Sequence, residues 1–260
     1  MNGKAKSKQG KQMIHYHGTP IGGSRQDAAR FLVGRHAMVS FYRPDDLPIV
    51  TEVCQSFALD NGAFSHWKSG KGDIDYDSYK EWVVGFMFHP GFDFAIIPDK
   101  IDGTEEENTA LIHRWLDDGL GQWGAPVWHM HESLDMLQQL CGAWRIVCIG
   151  SSGQWSYPGS KKWWERINEA MKAACSRDGK PLCKLHGLRM MDPRIFTKLP
   201  FSSADSTNAA VNQGSANGFG IYRPATAAQR SAVIADRVEM YSSSPIYTNV
   251  GTQDELFLEI

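Results

Sequence analysis

Eight short apolar runs recur along the chain at near-regular intervals, at 14–17, 36–42, 56–60, 92–99, 125–131, 144–151, 184–190 and 200–207. Between them lie segments with helical periodicity, at 25–33, 47–54, 76–88, 105–116, 134–140, 161–175 and, briefly, 193–199. A strand, a helix and another strand in succession imply parallel pairing through right-handed crossovers. Eight such units in about 200 residues match an α/β fold of the (β/α)8 TIM barrel type. An open doubly wound sheet is the rival. It is disfavoured because no G-x-G-x-x-G follows the first run and because polar residues gather at the C-terminal ends of nearly every run. The expected organisation is a basic extension at 1–12, a single barrel at 13–240 that includes a closing helix at 225–237, and a polar tail at 241–260.

Composition excludes several function classes. With 260 residues, 42% of them hydrophobic, the chain can bury a sizeable core. No stretch approaches the 18 uninterrupted apolar residues of a membrane span, and the opening Met1-Asn2-Gly3-Lys4-Ala5-Lys6-Ser7-Lys8 lacks the apolar core of a secretory signal, so a cytoplasmic protein without membrane partners is expected. The five cysteines are odd in number and widely spaced, with no C-x-x-C pair, which argues for buried thiols rather than disulfides or structural zinc. The 27 basic and 29 acidic residues nearly cancel, yet their distribution is uneven. Acids dominate 50–140 by about three to one, whereas 161–198 carries ten bases against four acids, and four lysines fall in the first eleven residues. In the Lys161-Lys162-Trp163-Trp164 stretch with nearby Arg166, bases and aromatics interleave as they do in nucleic-acid contacts; a solvated helix face is the bland alternative.

In a barrel, the C-terminal strand ends converge on the active site. Those ends here carry His17, Asp60, Asp99, His129, His131, Gly150, Ser151, His186 and Asp205. Three carboxylates at one mouth would have their acidities driven apart by repulsion and burial. Such a set suits glycosyl chemistry, in which one carboxylate attacks or stabilises an anomeric carbon and another handles a proton. Taken singly, Asp60, Asp99 or Asp205 is also placed to cap a turn, but three such caps at one mouth are not what turns alone would produce. The pairs His15/His17 and His129/His131 each recur at the two-residue period of a strand and raise a metal-dependent hydrolase as a competing class.

Four segments carry a family resemblance. Leu59-Asp60-Asn61-Gly62-Ala63-Phe64 resembles the Asp-Ser-Gly-Gly-Phe segment of tRNA-guanine transglycosylases, and Ile97-Pro98-Asp99 is similar to the family's base-recognising aspartate on the fourth strand. Val147-Cys148-Ile149-Gly150-Ser151 resembles its glycine segment against the base, and Asp205-Ser206-Thr207-Asn208-Ala209 resembles the stretch that carries the nucleophile. The four occur in the family's order and span about 14–210. The family's C-x-C-x-x-C…His zinc subdomain is absent, Asn61 stands where a serine is usual, and His131 stands where a glutamine is expected. The short zinc-free form resembles the branch that exchanges guanine in DNA for 7-deazaguanine derivatives, found in phages and bacterial DNA-modification clusters.

The resemblance implies a pentosyltransferase that needs no cofactor or metal. Asp205 would be nucleophile, Asp60 proton carrier and Asp99 base reader, while Asn61, His131, Gly150, Ser151, His17 and His186 would complete the substrate pocket. DNA and a free 7-deazaguanine base would be the partners, with Lys161, Lys162, Trp163 and Arg166 facing the nucleic acid. Action on RNA, or a non-catalytic nucleobase-binding barrel, are the alternatives the resemblance leaves open.

Overall fold

The computed structural model describes residues 13–215 and 219–249; the expected basic extension at 1–12 and the last part of the tail, 250–260, lie outside the described residues. Among the described residues there are nine strand segments. They are β1 (Ile14–Gly18), β2 (His36–Ser40), β3 (Ser56–Asp60), β4 (Phe92–Ile96), β5 (Gly124–Ala125), β6 (Val127–His129), β7 (Ile146–Gly150), β8 (Lys184–Gly187) and β9 (Ser203–Ser206). Every pairing is parallel, in the order β5-β4-β3-β2-β1-β9-β8-β7-β6.

The two edges of that order are halves of one stave. β5 pairs with β4 and β6 pairs with β7, and only Pro126 separates them. Proline has no N–H to give a ladder, so the run expected at 125–131 is interrupted there. The Pro126 carbonyl still accepts from the Cys148 N–H at 2.8 Å. The eight staves of the sequence pattern therefore form a TIM-like α/β barrel that closes through residues 124–129.

Both faces of the staves are buried, which explains the unbroken apolar stretches Ala37-Met38-Val39, Phe57-Ala58-Leu59, Phe94-Ala95-Ile96 and Ile146-Val147-Cys148-Ile149. Tyr16, Met38, Ala58, Phe94, Ile96, Ala125, Val127, Ile146 and Cys148 fill the barrel interior. Residues of opposite parity, such as Ala37, Val39, Phe57, Leu59, Val147, Ile149 and Leu185, pack outward against the helices. The outer layer comprises α1 (Arg25–Leu32), α2 (Leu47–Val53), α3 (Ala63–Lys68), α4 (Tyr76–Val84), α5 (Glu105–Asp117), α6 (Leu134–Ala143), α7 (Lys161–Ala174), α8 (Pro193–Phe196), α9 (Asn208–Asn212) and α10 (Ala227–Glu239). In α7 the Ser160 hydroxyl accepts from the Trp163 N–H, and Trp163, Trp164, Ile167, Ala170, Met171 and Ala174 form the stripe that faces the barrel.

Three local features differ from the sequence expectation. α3 and α9, six and five residues long, are too short to show a period. The run expected to continue to 190 ends at Gly187, because the backbone turns and Arg189 adopts a left-handed φ of 56°. Beyond α10 the chain to Asn249 packs back on the barrel: the Ser243 hydroxyl donates to the Phe201 carbonyl, and the Tyr247 N–H donates to that of Gly179 at 2.7 Å. No helix among the described residues is long and apolar enough to cross a membrane.

Candidate active site

Parallel staves deliver their C-terminal ends to one mouth, and the site is assembled there. Asp60 closes β3, Asp99 follows β4 by three residues, His129 closes β6, Gly150 closes β7, and Asp205 lies in β9. These five line a single cavity of about 470 Å³ together with Ser40, Asn61, Phe64, Ser151 and Thr207. Arg43, Lys68 and Arg189 also reach it. Their loops are far apart in sequence, so no run of charge announces them.

The carboxylates occupy contrasting environments. Burial pushes the Asp60 carboxyl up to about 6; Asp205 and Asp99 add repulsion, while the Ser40 hydroxyl and the Gly62 N–H oppose the rise. Asp60 is carried into this position by the turn that follows it. Gly62 has a φ of 80°, and a side chain there would meet Tyr42 at about 3.0 Å, so glycine alone allows α3 to start at Ala63. Asp205, by contrast, accepts the Arg189 N–H at 2.8 Å, and its Oδ1 lies 3.4 Å from His186 Nε2. The left-handed backbone at Arg189 aims that N–H, a strain of about 1–3 kcal/mol that the surrounding structure sustains. The Arg189 guanidinium then lies 3.7 Å over the Phe64 ring.

Asp99 is held from both sides. Asn61 Nδ2 donates to its Oδ1 at 2.7 Å, and His129 Nε2 lies 2.9 Å from its Oδ2. The other Asn61 amide hydrogen goes to the Ile97 carbonyl, and its Oδ1 accepts from the Ala63 N–H. Asn61 thus lines the cavity, but its donors and acceptor are committed to positioning Asp99. His129 is itself enclosed. Burial lowers its basicity, yet the bonds to Asp99 and Glu132 outweigh burial and carry it up to about 9.

Several expected site residues stand elsewhere. His17 faces the helical layer, because the two-residue alternation that turns Tyr16 inward turns His17 out; its Nε2 meets Glu239 of α10 at 2.7 Å. His15 shares that outward face and packs edge-on against Phe196. His186 lies inside the barrel beneath Asp205, fully buried against Tyr16 and Phe94, and does not line the cavity. His131 does not reach it either. β6 stops at His129, so the alternation expected to set His131 beside it ends, and the His131 ring bonds to the Ser152 hydroxyl and the Gly103 carbonyl instead. The sequence sets His129 among the strand-end residues but offers nothing to prefer it to His131 for the pocket, and Arg189 carries no signal, because its role depends on a backbone turn that no motif announces.

The expected nucleic-acid stretch separates into two parts. Lys161 and Lys162 are exposed. Trp163 is fully buried and donates to the Ser151 hydroxyl at 2.9 Å, so it has no face for a base. Arg166 is occupied by the Met130 and Glu132 carbonyls at 2.8 and 2.6 Å and by Glu169. The interleaving of Lys and Trp is the polar and apolar sides of an amphipathic helix. Nor do the two histidine pairs converge, and no group of three or more His, Cys, Asp or Glu among the described residues has the arrangement of a metal site.

No family model, curated protein or solved structure matches the chain. The site's geometry and chemistry therefore carry the functional argument.

Proposed function

We propose that the chain is a base-exchange transglycosylase that replaces guanine in DNA with a 7-deazaguanine derivative through a covalent Asp205–deoxyribosyl intermediate. One observation carries this reading: Asp60 and Asp205 line one cavity but differ in their surroundings, desolvation pushing the half-buried Asp60 carboxyl up to about 6 and the Arg189 backbone N–H fixing the buried Asp205. Retaining glycosyl transfer needs such a pair, one group to carry a proton near neutral pH and one to attack. A cavity of about 470 Å³ suits a nucleotide turned out of its stack.

In the first half-reaction an Asp205 carboxylate oxygen bonds to the anomeric carbon as the glycosidic bond to guanine breaks, and the Asp60 proton passes to the departing base. In the second, the Asp60 carboxylate takes the ring N–H proton of the incoming base, whose nitrogen displaces Asp205. Two inversions give retention, and Asp60 ends protonated as it began. Asp99 would accept the paired ring N–H and amino hydrogens of guanine or its 7-deaza analogue, a pattern adenine lacks. Arg43, Lys68 and Arg189, at the cavity, suit the phosphate backbone.

The test is incubation with guanine-containing DNA, or RNA in parallel, and labelled guanine or 7-deazaguanine bases. Uptake of label into DNA supports the proposal; uptake only into RNA moves it to tRNA-type substrates; no uptake into either rejects it.

A further inference from the structure

Behind Asp99 lies a buried network that the exchange chemistry alone does not require. The side chains of Asp99, His129 and Glu132 are 8%, 2% and 0% exposed. His129 Nε2 lies 2.9 Å from Asp99 Oδ2, and Nδ1 lies 3.5 Å from Glu132 Oε1. Glu132 is fixed in turn by the His129 N–H at 2.7 Å and by Asn108 Nδ2 at 2.8 Å.

The protonation of the ring follows from the two carboxylates that flank it. The Lys100 N–H donates to Asn108 Oδ1 at 2.8 Å, which sets the amide's orientation. Its Nδ2 gives one hydrogen to Glu132 Oε1 at 2.8 Å, and the Lys100 carbonyl at 3.3 Å and His129 Nδ1 at 3.4 Å share the other. Each ring nitrogen has a carboxylate oxygen beside it, Asp99 Oδ2 at 2.9 Å and Glu132 Oε1 at 3.5 Å, and a ring that donates toward both is an imidazolium. Two carboxylates buried this deeply also require a cation between them. The other charged or titratable neighbours are engaged elsewhere. His131, 5.5 Å away ring to ring, bonds to Ser152 and Gly103; Arg166 bonds to the Glu132 and Met130 carbonyls; the Lys100 ammonium faces Asp73 and Glu107; Asp60 lies across the cavity.

We propose that His129 is the positioning residue for base selection: clamped as an imidazolium between Asp99 and Glu132, it keeps Asp99 an acceptor-only carboxylate, so that the cavity selects bases presenting two adjacent N–H donors. The selection half of this proposal rests on the base-exchange reading; the clamp does not. Without the cation Asp99 takes up a proton more readily, and a protonated Asp99 offers a donor where the base also offers one.

Two measurements separate the halves. Nitrogen-15 NMR of the histidine rings in the free protein should find His129 doubly protonated throughout pH 6–8, and Glu132→Gln should move its deprotonation down toward neutrality. A neutral His129 at pH 7 in the unaltered protein overturns the clamp whatever the exchange assay finds. In that assay the KM for the free base should be flat over the same range. In His129→Gln it should rise about tenfold and climb further as pH falls, with kcat at saturating base changed less than threefold, on the scale of one lost charged hydrogen bond. A pH-independent KM in His129→Gln overturns the selection role. A protonated His129 in a protein that exchanges no base leaves the clamp standing and rejects the base-exchange reading, and with it selection.

Discussion

Replacing Asp60 by Asn should make the protein more stable and less active at once. Its carboxyl is moved from 3.8 in the unfolded chain to about 6 in the fold, chiefly by burial. Two units correspond to about 3 kcal/mol of native-state cost once the group is ionised in both states. The sign follows from an acid whose folded value is raised. Below pH 3.8 both states hold the proton and Asp60 costs nothing; the cost grows between pH 3.8 and 6 and is complete above 6. An uncharged amide of the same shape escapes it, and the opposing pull of the Ser40 hydroxyl and the Gly62 N–H is already contained in the net rise. The net expectation for Asp60→Asn is a gain of up to about 3 kcal/mol at pH 8, vanishing near pH 4, with turnover lowered by about 10² to 10⁴. Urea titrations of both proteins at pH 4 and pH 8 measure this. A variant less stable than the parent at pH 8, or one whose difference does not change with pH, would refute the burial argument for Asp60 and its assignment as proton carrier.

Further outcomes follow from the same geometry. Asp99→Asn should cost about 2–4 kcal/mol in base binding while glycosyl transfer partly survives, because a donor replaces an acceptor that faces the base; uptake titrations with guanine and 7-deazaguanine at saturating DNA test it. Removing Arg43 and Lys68 together should flatten the salt dependence of DNA affinity by about two units, and removing the exposed Lys161 and Lys162 reports separately on the outer face of α7. Glu239 is held down to about 2, against burial, by His17 and Arg35, so it stabilises the fold above pH 4.5 and that contribution disappears as pH falls through 2. With the side chain 29% exposed, Glu239→Gln should cost about 1–2 kcal/mol at pH 7 and nothing near pH 2, read by denaturant unfolding.

The barrel was legible in the sequence because parallel staves buried on both faces leave apolar runs, which β2, β3, β4 and β7 show plainly, whereas β1, β8 and β9 carry His, Ser and Asp among their apolar residues. What blurred was where a stave stops. β6 ends at His129 and β8 at Gly187, and both ends are set by turns whose backbone angles leave no periodic mark. The same blur explains the site. Asp60, Asp99 and Asp205 were identifiable because a carboxylate at the end of an apolar run is conspicuous, whereas choosing between His129 and His131 required knowing the last paired residue. His17 shows the other difficulty: a histidine beside the mouth in sequence still faces outward if its parity is odd relative to the inward Tyr16. Trp163 beside Lys162 resembled a stacking platform only until the hundred degrees per residue of α7 separated their faces.

The most direct test of the account is to denature the protein after mixing it with guanine-containing DNA and to weigh the products intact. A covalent protein–DNA adduct that forms with release of free guanine, is discharged by added 7-deazaguanine base, and is absent in a folded Asp205→Asn variant is the expected result. No adduct with any guanine-containing DNA or RNA together with no base exchange, or an adduct that persists undiminished in Asp205→Asn, would contradict it.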